Sequence, residues 1–566
     1  MRFYENNPIN TLEFVLILCP SLVLPFMVEA FELGKTLFII LLLSFSLISY
    51  KFFPPIKKTG VSLSFSTNKN RLSYVDLLFF GYLFLYILSS LFATDIGTAV
   101  LGYYGRFAGS LLFLSTLILF LVKNKQAIKD WGYSRISYIL SLGSLVPVLL
   151  AYIQIFNTSS LTETSGRLFS TFGQPNWFGG YLVIVLLIHT ISYVFDRRNI
   201  ALFYFVFTLI PLFYTVSLSS ILSLFFALCL FWLISFARKS VPRLNILLLF
   251  FIFTTLLHGS SLFGRFNNQI FAKDTSENSI ITNDTGYIRG ILTRSAFLQV
   301  LNSPKLLVIG SGPENFAYEF KRPAALNKTS EWSYLYNKPH NFFIEEFFET
   351  GILGLLFFIG TFILLLKSLK NNIYYILPLA IMFNSFFGWL TSYTYLLLFI
   401  FLVKFFLEES FNEKYLNIAS RFKIKSFIVY DLLFVFALIY SFSLFAVKTK
   451  PCLSYRLFPY YQNFAMDCLS ANLTKQNIES IIQINPKNRL IKENVALKIL
   501  KSNPTKSQEL TQSLKDFDPT NPIYFYYLGQ IYEKQGLKEE AKKEYQAALN
   551  LQPKFIEAKS RMIYLK

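Results

Sequence analysis

H-N-F-F-I-E-E-F-F-E-T-G-I-L-G-L-L-F-F-I-G-T-F-I-L-L-L, residues 340 to 366, decides how this chain is to be read. It begins with an imidazole, an amide and three carboxylates, and ends as an apolar run long enough to cross a bilayer. His340 therefore stands where a polar loop meets a membrane span. Of the histidines, His189 and His258 fall inside or at the end of apolar segments, and only His340 has a polar lead-in. An imidazole at such a border can exchange protons near neutral pH.

Similar apolar runs recur along the 566 residues, which are 54% hydrophobic and 18% aromatic. Their lengths predict about thirteen spans. They lie near 11–30, 34–53, 74–93, 107–122, 136–156, 175–195, 200–216, 218–237, 244–258, 342–366, 373–387, 389–407 and 426–447. The fold class is all-α: a polytopic helical membrane bundle with a large loop and a helical tail. Arg2 set against Glu5 and Glu13 gives the first span a weakly charged lead-in, which argues against a cleaved signal peptide.

A net charge of +20 invites a nucleic-acid reading, but the cations cluster in alternate loops. Lys51 to Arg71, Lys123 to Arg135, Arg197 with Arg198, Arg238 to Arg243, Lys367 with Lys370 and Lys404 to Lys425 form the rich series. The positive-inside rule makes these loops cytoplasmic. The N-terminus is then inside, while the loops bearing Arg106, Arg167, Arg289 and His340 lie outside with the C-terminal tail. The charge reports topology, and no nucleic-acid partner is expected.

Four regions follow: a bundle over 1–258, an external loop over 259–341, further spans over 342–447 and a tail over 448–566. In the loop, Tyr287, Ile288, Ile291, Leu292, Ala296, Leu298, Val300 and Leu301 recur at helical spacing before Asn302-Ser303-Pro304. This predicts an amphipathic helix lying on the membrane surface. In the tail, Asn485-Pro486, Asp518-Pro519 and Gln552-Pro553 recur about every 33–34 residues, the tetratricopeptide period. Tyr527, Leu528, Gly529, Tyr532, Gly536, Ala541, Tyr545, Ala548 and Pro553 match that repeat, whereas 486–518 matches it in length and helicity only. So few repeats need a neighbour to pack on, and the loop is a candidate. An exported tail is also oxidising territory, so Cys452 and Cys468 are expected to bridge, while Cys19 and Cys229 lie within spans.

The sequence has no zinc-type ligand constellation, no phosphate-binding loop and no nucleophile elbow. No metal or cofactor is expected. What remains is His340 with a set of external arginines. Arg167 opens R-L-F-S-T-F-G-Q-P-N-W, where Gly173 and Pro175 shape a turn and Asn176 is placed to cap the next helix. Arg289 and Arg294 lie on the loop helix, and Arg106 sits in G-Y-Y-G-R-F-A-G. Guanidinium forks suit phosphate oxygens. On a surface helix, the same residues could instead meet anionic headgroups.

Three ordered stretches carry a resemblance: R-L-F-S-T-F-G-Q-P-N at 167–176, the helix from Arg289 to Pro304 with I-G-S-G-P-E-N-F at 309–316, and H-N-F-F-I with E-T-G-I-L-G ending at Gly354. Together they resemble the O-antigen ligase family, which includes O-antigen ligases, O-antigen polymerases and protein O-oligosaccharyltransferases. The resemblance covers roughly 160–366 and implies a GT-C-like fold. It also implies metal-independent glycosyl transfer from a polyprenyl (undecaprenyl-type) pyrophosphate on the outer face of a bacterial inner membrane. His340 would be the catalytic base. Arg289, Arg167, Arg106 and Arg294 would bind the donor, and Asn341 and Glu349 would orient the His340 turn. The chain departs from the family pattern twice. Ser220, in V-S-L-S-S-I-L-S, stands where a second phosphate-binding arginine is expected, and Thr293 replaces a tryptophan.

The acceptor, whether lipid-linked sugar, repeat unit or protein hydroxyl, stays open. So does a protein partner for the tail. Two other classes remain: a lipid-linked oligosaccharide transporter, which would need ionisable groups at mid-membrane, and a non-catalytic scaffold docking through the tail.

Overall fold

The computed structural model describes residues 8–25, 27, 29–52, 73–103, 107–157, 166–237, 241–270, 285–409, 426–447, 449–471, 475–484 and 487–565. Arg106, Asn485-Pro486 and the cations from Lys57 to Arg71 lie outside these residues. Helices occupy each of the apolar stretches, and among the described residues no strand is present. The protein is an all-α, multi-pass membrane protein with a helical tail. Among the described residues, six helices are long and apolar enough to cross a bilayer alone, and a bent pair, Pro242–Leu257 with Gly259–Asn267, makes seven when counted as one span. Several others are apolar but shorter, among them Leu111–Lys123 and Ile200–Tyr214. The first predicted span is cut short: its helix, Pro8–Leu18, passes into a 3-10 turn around Pro20. A proline inside a helix removes a hydrogen bond and clashes with the preceding turn.

The chain divides into two compact units. The first comprises Met1–Ile87, Gly102–Leu262 and Leu356–Phe445. Its central helix, Pro175–Val194, is buried almost throughout, which explains why this segment lacks a polar stripe. His189 is buried on it, stacked on Tyr204. Outer helices such as Tyr133–Phe156 leave Leu149, Ile153 and Phe156 exposed, as lipid-facing residues should be. Lys35 is fully buried, but its ammonium donates to the carbonyls of Leu22, Phe31 and Thr171. It thereby pins the 167–176 turn.

The second unit comprises Leu88–Leu101, Phe263–Leu355 and Ala446–Lys566. It is built on the loop helix, Thr285–Leu301. Ile288, Leu292, Ala296 and Val300, one helical ridge, are buried against Leu306, Phe316, Phe320, Leu326, Tyr336, Phe347 and Phe348. This corrects the expected surface helix: its main apolar ridge is covered by protein, while Tyr287, Leu298 and Leu301 remain exposed.

The tail packs on the loop. Asn327 donates to the Thr520 carbonyl at 2.8 Å, Gln552 donates to the Asn327 carbonyl at 2.6 Å, and Thr520 donates to the Arg322 carbonyl at 2.7 Å. Trp332 lies 4.8 Å from the Phe555 ring. Within the tail, Pro522–Lys534 pairs with Lys538–Leu551. A side chain at Gly529 would meet the Tyr545 ring at 2.5 Å, so glycine permits this close approach. The weaker preceding unit is a helix pair of the same kind, Arg489–Ile499 with Pro504–Phe517. Cys452 and Cys468 form the expected disulfide.

Candidate active site around the His340 turn

The stretch beginning at His340 is not one straight helix. Gly351 breaks it with φ 73° and ψ −165°, a conformation open to glycine, and the two halves join across this kink. A kink frees carbonyls of the preceding turn. Here the I-G-S-G-P-E-N segment supplies their donors: Ser311 N–H bonds the Phe348 carbonyl at 2.9 Å, and Gly312 N–H bonds the Glu349 carbonyl at 3.1 Å. Gly310 is needed in that segment because a side chain there would fall 2.1 Å from the Glu349 oxygen. Two of the resembling motifs are thus one structural device. The glycine segment docks on the kink, and the short helix before the kink carries the His340 turn.

His340 is half-buried and holds a left-handed backbone, φ 60°. Such a conformation costs a non-glycine residue about 1–3 kcal/mol and needs support from its surroundings. Asn341, next in the chain, caps the following helix by accepting from Phe343 N–H at 3.0 Å and Ile344 N–H at 3.2 Å. On the other side, Pro339 offers its carbonyl to the Thr293 hydroxyl at 3.0 Å.

Lys338 supplies a deeper anchor. Buried to 2% exposure, its ammonium pairs with Glu314 at 3.1 Å, with Glu349 at 3.5 Å and, in a short contact, with Glu345. Burial alone would lower the Lys338 pKa, but Glu314, Glu345 and Glu349 overcome it and raise the value above the ordinary lysine range. Glu314 itself has φ 57°. One ammonium therefore ties the G-P-E-N turn, the His340 turn and the short helix together. Glu349 reaches the site through this cluster. Sequence reasoning missed Lys338 and Glu314, although both lie in or beside quoted motifs.

The arginines do not behave alike. Arg289 is half-buried on the loop helix, and Thr293 lies one turn along the same face. Burial and the nearby Arg265 charge hold Arg289 below its ordinary value, while Glu331 acts in the opposite sense. Arg294 is exposed and stands about 140° around the helix from Arg289, so the two do not share a face.

Arg167 belongs to the first unit, where Nε donates to the Thr215 carbonyl at 3.0 Å and Nη2 to Asn176 Oδ1 at 2.8 Å. Asn176 is not the helix cap that was expected. Gln174 caps instead, accepting from Trp177 N–H at 3.0 Å, because Pro175 takes the first helical position. Ser220 is buried, bonds the Ser217 hydroxyl at 2.9 Å and lies against Gly179. A hypothetical Cβ at Gly179 would come within 2.7 Å of the Ser220 oxygen, so the two helices approach closely at this glycine.

A family model described as O-Antigen ligase matches residues 203–359, which contain both halves of this arrangement, Arg289 and His340. The chain carries an O-antigen ligase segment. A tetratricopeptide repeat model matches 522–555, the better of the two tail helix pairs. The O-antigen ligase match begins after Arg167 and Asn176, so the 167–176 stretch lies before it. No curated protein and no solved structure matches the chain. Among the described residues, no group of three or more His, Cys, Asp or Glu side chains could hold a metal ion.

Proposed function

We propose that this protein transfers a glycan from a polyprenyl pyrophosphate to an acceptor hydroxyl on the outer face of a bacterial inner membrane. The observation that carries the reading is the support built around His340. A strained, half-buried histidine is fixed by a helix cap, by Thr293 and by the Lys338 cluster, within the O-antigen ligase segment. Three separate anchors on one turn fit a residue whose position matters to chemistry.

In the proposed step, neutral His340 takes the proton of the acceptor hydroxyl. The oxygen attacks the anomeric carbon, the bond from that carbon to the phosphate oxygen breaks, and its electron pair leaves with the polyprenyl pyrophosphate. Arg289 stabilises the negative charge growing on that leaving group. A positioned base typically contributes roughly 10²–10⁴-fold, and fixed cations in a dry site can contribute comparably. Asn341 and Glu349 position the turn, and Arg167, Arg106 and Arg294 are assigned to the donor's charged groups on the resemblance.

Ligase, polymerase and protein glycosyltransferase differ here only in acceptor. The docking of the tail on the loop supports a structural task for the repeats, alongside any partner they recruit. The test uses purified full-length protein, a polyprenyl-pyrophosphate glycan and a panel of lipid, glycan and peptide acceptors, with chelator and without ATP. Product on one acceptor class supports transfer and assigns the subclass. Flipping of the donor across proteoliposomes without product would instead support a transporter. Neither activity would leave the scaffold.

A further inference from the structure

The stretch Leu88–Leu101 connects two apolar segments in the sequence, yet it belongs to the second unit with the loop and the tail. At its centre Asp95 is 1% exposed. One carboxylate oxygen accepts from Thr98 N–H at 2.6 Å, the ordinary task of a residue that caps a helix, here Ile96–Leu101. The other accepts at 2.6 Å from the side-chain amide of Asn488 in the tail, 393 residues further on. A cap needs only the first oxygen, so the second contact is a long-range link.

Asn488 precedes the tail helix Arg489–Ile499 and caps it: Oδ1 accepts from Leu490 N–H at 3.0 Å and from Ile491 N–H at 3.2 Å. Its amide is thereby left to donate to Asp95 and, at 2.8 Å, to Gln462 Oε1. On the opposite side, Asn315 clasps the Asp95 backbone. It accepts from Asp95 N–H at 2.8 Å and donates to the Asp95 carbonyl at 3.1 Å and to the Pro313 carbonyl at 2.9 Å. Both flanks of Glu314 are so fixed, and Glu314 pairs with Lys338, two residues before His340. Glu314 has φ 57°, and a left-handed turn at a non-glycine residue persists only where its surroundings determine it. Asp95, Glu314, Asn315 and Asn488 are all buried, so the loss of one contact is felt by the others.

We propose that Asn488 and Asp95 are positioning residues for the transfer step. Through Asn315 and the Glu314–Lys338 pair they set the His340 turn, and the docked tail is a working part of the active site. This role rests on the transfer reading given above.

The experiment exchanges the two groups. Asp95→Asn keeps a side chain that caps a helix as well as aspartate does, and removes the acceptor facing Asn488. Asn488→Asp also keeps its cap, but sets two carboxylates against each other. The double variant restores a donor facing an acceptor. Single-turnover transfer is followed with full-length protein in nanodiscs, as a rate per molecule that binds polyprenyl pyrophosphate, so unfolded protein does not count. Each single variant should transfer about tenfold more slowly with donor affinity near that of wild type, and the double variant should return to within about threefold of wild type.

A merely structural link would lower the melting temperature of the single variants and leave the rate per binding molecule unchanged. That result overturns the proposal and leaves the transfer reading standing. A double variant slower than either single one also overturns it, because the two residues would then act separately. Wild type without transfer on any acceptor overturns both readings. If a single variant fails to fold, Asn488→Ser decides, since serine keeps the cap and removes the amide. It should slow transfer and speed hydrogen exchange across 309–316, and wild-type values for both would overturn the proposal.

Discussion

Thr293 Oγ1 donates to the Pro339 carbonyl at 3.0 Å, joining the helix that carries Arg289 to the residue immediately before His340. Thr293 is one of the chain's departures from the family pattern, and the bond gives the departure a purpose. A threonine one turn from Arg289 fixes the distance between the proposed clamp and the proposed base.

Thr293→Val keeps the shape and removes the bond. Loss of a single hydrogen bond of about 1 kcal/mol should slow transfer about fivefold, with little change in donor affinity. Thr293→Ser should restore most of the rate. A valine variant as fast as wild type would remove Thr293 from the positioning scheme.

Lys338→Met should be far more damaging to the fold. It leaves Glu314, Glu345 and Glu349 buried without their common counter-charge. Removing one partner of a buried ion pair typically costs about 3–5 kcal/mol. Thermal unfolding of the full chain should show a clear drop, and adding Glu345→Gln should recover part of it by removing one orphaned charge.

Gly351→Ala tests the kink. The backbone there has φ 73°, and the added methyl would sit 2.8 Å from the Leu307 carbonyl oxygen. The expected loss is about 1–3 kcal/mol, read as a lower melting temperature. An unchanged melting temperature would show that the break in the helix can form without glycine.

Asp95 gives the second unit a pH dependence. Its carboxylate accepts from Thr98 N–H at 2.6 Å and from the Asn488 amide of the tail at 2.6 Å. Burial raises its pKa to about 6, although the Thr98 and Asn488 hydrogen bonds pull the other way. The folded state therefore favours the protonated acid. Its stabilising contribution is complete below the unfolded pKa and disappears as pH rises through about 6. From pH 7 to pH 5, wild type should gain about 1 kcal/mol relative to Asp95→Asn. Parallel stability curves for the two proteins would contradict this.

The helices and their order were legible because a bilayer demands long apolar runs, and such runs leave little choice of structure. The tetratricopeptide pair was legible for a related reason: Gly529 and Ala541 stand at fixed spacing because the helices touch there. The His340 turn could be located but not its support. Lys338 matters through Glu314, distant in the sequence and brought round by a left-handed turn that no local pattern announces.

Gly351 was hidden inside an apolar run, where a glycine is ordinarily tolerated without a break. The Gln174 cap, by contrast, was readable: Pro175 at the first helical position makes the preceding residue the cap.

The central claim is that His340 is the base of a glycosyl transfer, and a single-turnover rate tests it most directly. Donor-loaded wild type and His340→Ala, both folded by melting temperature and both binding polyprenyl pyrophosphate, are mixed with acceptor, and product is followed in time. The account expects His340→Ala to be at least about 100-fold slower at equal donor occupancy. A rate within about threefold of wild type would contradict it.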